Sequence, residues 1–529
     1  MASLTESAAR AAPASPTSAN KWVVAGTVLT GTIMAVLDSS IINVALPSMS
    51  GTLGAGVQEI AWVVTGYILA QVIVMPITAL LSARFGRKNF YLFSVALFTL
   101  ASMACGLARS LPVMVLFRIL QGFGGGVIMT VSQAILRETF PPVEQAMAMG
   151  IYGMGVVVAP AVGPTLGGWI TDNWTWPWVF YINVPVGVVN ILLVTRYIHD
   201  PDYLERRKGH IDWLGLALLA VGLGALQLML EEGQKHDWFQ SGGIVALAAT
   251  AAIALLLFVA HELRTERPAV NLRLLANRSF TSATAIGGIL GMGLYGSIFL
   301  LPLFLQNLLG YTAMLSGMAL VPRSLAMAVI MPLGGRVYNR LGPRALVGTG
   351  LIVSALSFWQ LSRLTADVGF WDIFWPQLLQ GVGFALIFVS LTTAALATIP
   401  RPQMTQASGL YNVVRQVFGS VGIAASATVL TRSTARYRAI LGEHITAFDP
   451  AVQGFIGGAA ARMMREGADA ATAHLQALAL LGGRLVRQAA VLAYNHVFAL
   501  ITVLFILSIP IAFLLRSGGI HAGMDAMAE

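Results

Sequence analysis

The chain has 529 residues, 57% of them hydrophobic and 10% charged, with mean hydropathy +0.75 and formal net charge +9. A soluble domain carries about 25% charged residues, so this composition excludes one and describes a polytopic membrane protein. The excess of Lys and Arg then belongs to loops held on the inner side of a membrane rather than to nucleic-acid binding, and the single cysteine, Cys105, excludes an intramolecular disulfide and a zinc cluster.

In chain order, the first 20 residues are rich in Ala, Ser, Thr and Pro and read as a disordered tail. The apolar run after them is too long for the core of a signal peptide, so an uncleaved first span is expected. Hydropathy predicts fourteen spans: 22–46, 60–81, 90–108, 112–134, 148–170, 178–198, 212–230, 242–262, 280–300, 314–334, 346–363, 373–397, 407–430 and 493–515. Asp38 lies deep in the first of them and is the sole mid-span carboxylate. A charge there costs about 3 kcal/mol on insertion scales, and such residues face water-filled cavities or lock onto a neighbouring helix.

Placing the N-terminus inside puts most Lys and Arg on the inner side and leaves only Arg109, Lys235 and Arg363 in the short outer loops. An even number of spans then brings the C-terminus inside too. Segment 431–492 falls outside, and its length frees it from the charge rule. It holds two stretches of helical potential, 451–466 and 470–494, the second placed to run into span fourteen, with Gly457-Gly458 and Gly482-Gly483 as interruptions. Val452, Phe455, Ile456 and Met463 share one face of the first stretch. That face needs a cover: the outer rim of the membrane bundle, the lipid surface or a partner protein.

The chain repeats itself. Arg84-Phe-Gly-Arg-Lys88 follows span two and Arg340-Leu-Gly-Pro-Arg344 follows span ten; Gln121-Gly-Phe-Gly124 and Gln380-Gly-Val-Gly383 lie in spans four and twelve. Such repetition marks secondary transporters, with the site between related halves. The domain reading is a cytoplasmic tail 1–21, a six-helix half 22–198, a linker 199–279 with two inserted helices, a six-helix half 280–515 containing the long outer loop 431–492, and a tail 516–529.

Arg118 in span four either snorkels to the outer surface or is a buried cation that sets where Asp38 takes up and releases a proton. Gly155, Ala159, Gly163 and Gly167 recur every four residues in span five, giving a small-residue stripe for close helix approach. Pro160 and Pro164 each remove a backbone donor there. The basic turn at Arg84, Gly86, Arg87 and Lys88 is an inner anchor or a gate. Trp174, Trp176 and Trp178 read as an outer aromatic belt. Arg323 and Arg415 interrupt apolar runs, with no role assigned. The glycine clusters at 122–126 and 163–168 lie inside spans and are not phosphate loops; no metalloprotease or nucleophile pattern occurs, so neither ATP drive nor an enzyme is expected.

The runs Leu37-Asp-Ser-Ser-Ile-Ile-Asn-Val-Ala-Leu-Pro47, Arg118-Ile-Leu-Gln-Gly-Phe-Gly124, Gly155 through Gly168, Phe180-Tyr-Ile-Asn-Val-Pro-Val-Gly187 and Leu305-Gln-Asn-Leu-Leu-Gly-Tyr311 together resemble the 14-helix drug:proton antiporter branch of the major facilitator superfamily, the EmrB/QacA-like multidrug exporters. The resemblance covers roughly 22–430 and 493–515. It implies an all-α major facilitator fold in the cytoplasmic membrane and export of amphipathic small molecules, with protons as the coupling ion and no other cofactor, metal or nucleic acid. Asp38 would be the protonation site and Arg118 the coupling group. Gly155, Ala159, Pro160, Gly163, Pro164, Gly167 and Gly168 would form the antiporter motif, and Arg84, Gly86, Arg87 and Lys88 the cytoplasmic gating loop. Met34, Gln121, Gln306 and Gln380 are the candidates for lining the substrate cavity. Besides the bilayer, the implied partners in a two-membrane cell are a periplasmic membrane-fusion protein and an outer-membrane channel. The alternatives are an exporter of one metabolite, lipid or siderophore, and a non-transporting receptor or scaffold. Two positions depart from the pattern. Ala79 and Ala83 stand where the branch has Gly and Asp around the basic turn. Asn495-His496 stands where an acid is common; His496 is expected on a solvated surface, with a pH-sensing role as the alternative.

Overall fold

A computed structural model describes residues 21–200, 212–265, 268–443, 445–446 and 448–515. The expected tails at 1–20 and 516–529 and the basic residues Arg206 to Lys208 lie outside the described residues. The described chain is helical: α1 (Lys21–Leu53), α2 (Trp62–Phe85), α3 (Arg87–Gly106), α4 (Leu111–Thr139), α5 (Gln145–Asn173), α6 (Trp178–Tyr197), α7 (Trp213–Glu232), α8 (Gly242–Arg264), α9 (Arg278–Leu309), α10 (Val321–Leu361), α11 (Phe370–Ala397), α12 (Met404–Glu443), α13 (Pro450–Arg465) and α14 (Ala470–Ala512). In hydrocarbon every backbone polar group must be paired internally, and long apolar runs meet that demand as helices.

Among the described residues, thirteen helical stretches are long and apolar enough to cross a membrane. One, Met314–Leu361, has 48 residues and holds two of the expected spans. Its break is Gly342, at φ 73° and ψ 167°. Gly86, at φ 86°, makes the same break between α2 and α3. A residue with a Cβ is strained at positive φ, so both glycines of the repeated basic turn fix the reversal of direction. Lys88 Nζ donates to the Thr195 carbonyl near the end of α6, and Arg344 Nε donates to the Leu515 carbonyl just past α14. In each half the turn is thus tied to the half's last helix.

The packing follows the repeat. In the first half α1 lies on α5, α2 on α4 and α3 on α6; in the second, α9 lies on α12, and α10 on both α11 and α14. The halves meet through α5 on α10 and α2 on α12. Gly150 closes against the backbone of Met331-Pro332, where a Cβ would stand 2.5 Å from the Met331 oxygen; Gly409 closes on Met75-Pro76, 2.6 Å from the Met75 oxygen. Helix pair α7–α8 is attached to the side, where Gln227 donates to Ser420 at 3.0 Å and Trp238 to Thr428 at 2.8 Å.

Segment 431–492 forms the two helices expected, α13 and the first part of α14, and the second runs on into the last span. α12 continues to Glu443 and α14 starts at Ala470, so both far exceed the ~20 residues that cross a bilayer. The glycine pairs 457–458 and 482–483 do not break α13 or α14; a helical glycine costs only about 1 kcal/mol relative to Ala. The cover for the apolar face of α13 comes from the same chain. Ile456, Ala459 and Met463 pack with Ala460 on Ala473 and Ala477 of α14, and Arg484 lies 4.6 Å from the Phe455 ring centre. The tryptophan belt is also revised. Trp174 and Trp178 are exposed, with ring centres 4.9 Å apart, but Trp176 turns inward against Phe180. His496 is half-buried beside the Tyr437 ring rather than free on the surface.

Candidate functional site

Asp38 is in the middle of α1 and 1% exposed. Ser39 and Ser40 beside it return their hydroxyls to the Val36 and Leu37 carbonyls of the same helix, which satisfies them without competing for the carboxylate. Helix α4 begins with Pro112 in its first turn, where a missing N–H costs nothing. Its Arg118 and Gln121 are three residues apart and share a face.

Those elements converge on one carboxylate. Arg118 Nη1 donates to Asp38 Oδ2 at 2.6 Å, while Gln121 Nε2 and Asn183 Nδ2 each donate to Oδ1 at 2.8 Å. Arg118 is 0% exposed, which excludes snorkelling. Its Nε donates to the Val63 carbonyl at 2.9 Å, and Nη1 also reaches Gln121 Oε1 at 2.8 Å. The Tyr67 ring centre lies 4.3 Å from the guanidinium carbon, and that of Phe180 5.8 Å. Removing either member of such a buried pair leaves an uncompensated charge. A proton on Asp38 therefore removes the charge with which Arg118 is paired.

The small-residue stripe of α5 faces this helix. A Cβ on Gly163 would stand 2.0 Å from Ser40 Oγ, one on Gly167 2.7 Å from the Ile41 carbonyl, and one on Gly155 3.1 Å from the Ile33 side chain. Ala159 is buried on the same face, whereas Gly168 has only Val44, at 3.8 Å. Pro160 and Pro164 sit inside α5. The stripe thus grips α1 from Ile33 to Ile41, across the turn that carries Asp38.

At the end of the molecule that bears the basic turns, Arg87 pairs with Glu138 at the end of α4. Its Nη2 also reaches Thr405 of the second half at 3.3 Å. With Ala at position 83, the acid that pairs with Arg87 is Glu138 of α4. Asn339 donates to the Val143 carbonyl at 2.6 Å and Asn412 to Gln133 Oε1 at 2.9 Å, both across the halves.

The four cavity candidates do not form one group. Gln121 belongs to the Asp38 cluster. Met34 is 2% exposed in the core, and Gln306 is exposed near the end of α9, 3.4 Å from Ser316. Gln380 joins Ser297 and Arg323 in the second half. Sequence reasoning missed Asn183, Tyr67 and Ser102, which accepts from Asn183 at 3.0 Å. Asn183 alone carried a signal, as a polar residue inside the Phe180–Gly187 run.

Residues 28–423 match the family model described as Major Facilitator Superfamily. The chain is 36% identical over 491 residues to the fatty acid resistance protein FarB of Neisseria gonorrhoeae, covering 92% of this chain and 95% of that protein. It is 37% identical over 423 residues to the multidrug export protein EmrB of Escherichia coli K12, covering 80% and 82%. Among solved structures, the human organic anion transporter MFSD10 aligns with TM-score 0.59 at 14% identity, over 92% of this chain and 99% of that one; this likeness concerns the fold.

Proposed function

Because the chain belongs to the major facilitator superfamily, and so is a multi-pass membrane transporter related to a multidrug export protein and a fatty acid resistance protein, we propose that it is a proton-coupled antiporter that exports amphipathic compounds across the cytoplasmic membrane by alternating access. The observation that carries this reading is the buried Asp38–Arg118 pair, gripped by the glycine face of α5. A proton arriving from outside neutralises Asp38, breaks its pair with Arg118 and releases α1 to move against α5. Substrate bound from the inner side takes the place of that proton in the cycle. One charge crossing 100 mV is worth about 2.3 kcal/mol, enough to drive appreciable accumulation outside.

The proposed orientation puts both termini in the cytoplasm, with Arg84, Gly86, Arg87 and Lys88 at the inner face. The Arg87 contacts to Glu138 and Thr405 would then hold the inner gate shut. The α13–α14 hairpin would project outside as the dock for a periplasmic membrane-fusion protein leading to an outer-membrane channel. The test of the coupling reading is substrate-induced proton release from purified protein. Wild type should release protons on substrate addition and Asp38→Asn should not; release from the variant equal to wild type refutes the reading. A narrower substrate range, confined to lipid-like compounds, is favoured by the long match to FarB. A panel of drugs and fatty acids competing in the same assay separates the two.

A further inference from the structure

The second half contains a counterpart of the Asp38 site with its charges rearranged. Gln380 stands 259 residues after Gln121, and three residues before it Gln377 stands where Arg118 would be. Arg323 of α10 corresponds to Tyr67 of α2. The close approaches establish this: a Cβ on Gly122 would lie 2.3 Å from the Tyr67 carbonyl, and one on Gly381 2.3 Å from the Arg323 carbonyl. Ser297 of α9 takes the place on Gln380 that Asp38 of α1 takes on Gln121, with its hydroxyl 2.9 Å from Gln380 Oε1. So the second site keeps a guanidinium, moved to the neighbouring helix, and among the described residues it has no carboxylate.

Arg323 is 4% exposed, and among the described residues no acid pairs with it. Its Nη1 makes two long contacts, 3.3 Å to Ser297 Oγ and 3.3 Å to Gln380 Oε1. Arg118, by contrast, holds Asp38 at 2.6 Å. Charge-assisted hydrogen bonds to a carboxylate run at about 2.7–2.9 Å, so Arg323 is loosely held. Gln380 Oε1 is fixed by Arg323, Ser297 and, at 3.5 Å, Gln377 Nε2. That leaves Gln380 Nε2 buried with no partner. Gln377 Oε1 is buried without a partner beside it, so one unfilled donor and one unfilled acceptor meet next to a guanidinium that no acid pairs with among the described residues. A buried cation without a counter-charge is costly, and among the described residues none is supplied.

We propose that Arg323 and Gln380 bind the carboxylate of an amphipathic organic acid, as a second ligand site separate from Asp38. A planar guanidinium matches a carboxylate with two parallel N–H bonds, and Gln380 Nε2 adds a third donor. The apolar surroundings, with Met327 and Ala326 buried one turn on, suit a ligand whose remainder is hydrocarbon. The use of this site in export rests on the transporter reading above; its ability to bind does not.

The test uses the full chain in nanodiscs of zwitterionic lipid, with radiolabelled decanoate as probe and decanol, decyltrimethylammonium and chloride as competitors. Wild type should bind decanoate saturably, with decanol and decyltrimethylammonium competing poorly. Arg323→Met should weaken decanoate binding by about ten-fold or more, and Arg323→Lys by less. Without ligand, Arg323→Met should melt no lower than wild type, because it removes an unpaired buried charge, and decanoate should no longer raise its Tm. Asp38→Asn should bind decanoate like wild type even where proton release is lost, so the two readings fail separately. Unchanged decanoate binding in Arg323→Met overturns the proposal. So does a ligand-free Arg323→Met that melts well below wild type, which marks a structural cation. Displacement of decanoate by chloride at matched concentration overturns it as well, since the site then holds only an inorganic counter-ion.

Discussion

Gly163 of α5 meets Ser40 of α1 so closely that a Cβ on the glycine would stand 2.0 Å from the serine hydroxyl, two residues beyond Asp38. The Ser40 hydroxyl could rotate away, but Ile41 N is only 3.1 Å from the same point, so a branched side chain must push the helices apart. Gly163→Leu should therefore damage the protein by volume, with over-packing of about 1–3 kcal/mol. It should lower Tm and efflux together, and Gly163→Ala should do less of both. Gly168→Ala, where a Cβ meets only Val44 at 3.8 Å, is the control and should be close to wild type. Wild-type Tm and efflux in Gly163→Leu would refute close packing at this point.

The Asp38–Arg118 pair makes a second comparison. Asp38→Asn retains an oxygen for Arg118 Nη1 and a side chain of the same size, so it should insert and fold while losing export against a gradient. Arg118→Ala leaves a buried carboxylate held only by Gln121 and Asn183, a loss of about 3–5 kcal/mol for a broken buried pair. Arg109 is exposed beyond α3, so Arg109→Ala should leave both stability and efflux near wild type. Efflux and Tm at equal expression check this; equal deficits in Arg118→Ala and Arg109→Ala would contradict a buried coupling role.

The spans were legible because hydropathy at this amplitude has one structural solution in lipid, and the break between the two spans of α10 was visible in the repeated glycine turn. The run of 470–494 into the last span could be read from the sequence, but the extra length of α12 and the continuity of the helices through their glycine pairs were less legible. Past the membrane those helices are Ala- and Arg-rich, and the paired glycines at 457–458 and 482–483 read as breaks when weighed alone. In the fold they lie in helices held by packing of Ala460 on Ala473 and Ala477. At the site, Asp38 and Arg118 stood out because charge inside a span is costly. Tyr67 and Asn183 did not, because neutral polar side chains are common in spans and only convergence distinguishes them. Arg323 stood out as a charge but carried no meaning until its place opposite Gly381 matched that of Tyr67 opposite Gly122.

Arg87 links three elements: the turn after α2, Glu138 on α4 and Thr405 on α12. Arg87→Ala should leave Glu138 with no partner and remove a contact between the halves. Cysteines placed at the inner ends of α2 and α12 should then react faster with a membrane-impermeant thiol reagent applied from inside, and efflux should fall. Thr405→Val removes only the cross-half hydrogen bond and should give a smaller change in the same direction. Unchanged labelling in Arg87→Ala would mean that the turn is an anchor and not a gate.

The final prediction concerns the α13–α14 hairpin. At 1.5 Å per residue the 43-residue α14 is about 65 Å long, roughly twice a hydrocarbon core of about 30 Å. Its N-terminal part is tied to the rest of the bundle at two points, Arg487 to the Ala366 carbonyl at 3.0 Å and Asn495 to the Leu364 carbonyl at 2.8 Å. Both lie on the membrane side of residue 485. Replacing 440–485 with a short glycine–serine linker therefore removes the hairpin and keeps those ties, along with the packing of Tyr437 against His496. The apolar face of α13 is already covered by α14, so the truncated protein should fold with a Tm near wild type and retain substrate-induced proton release. Leu475, Leu478 and Leu480 remain exposed on the outer part of α14. A docking role for the hairpin requires that a co-expressed membrane-fusion protein co-purify with the full chain and not with the truncated one, and that resistance of whole cells be lost with it. Co-purification that survives the replacement would place the dock elsewhere and leave the hairpin as a cover over the outer end of the transporter.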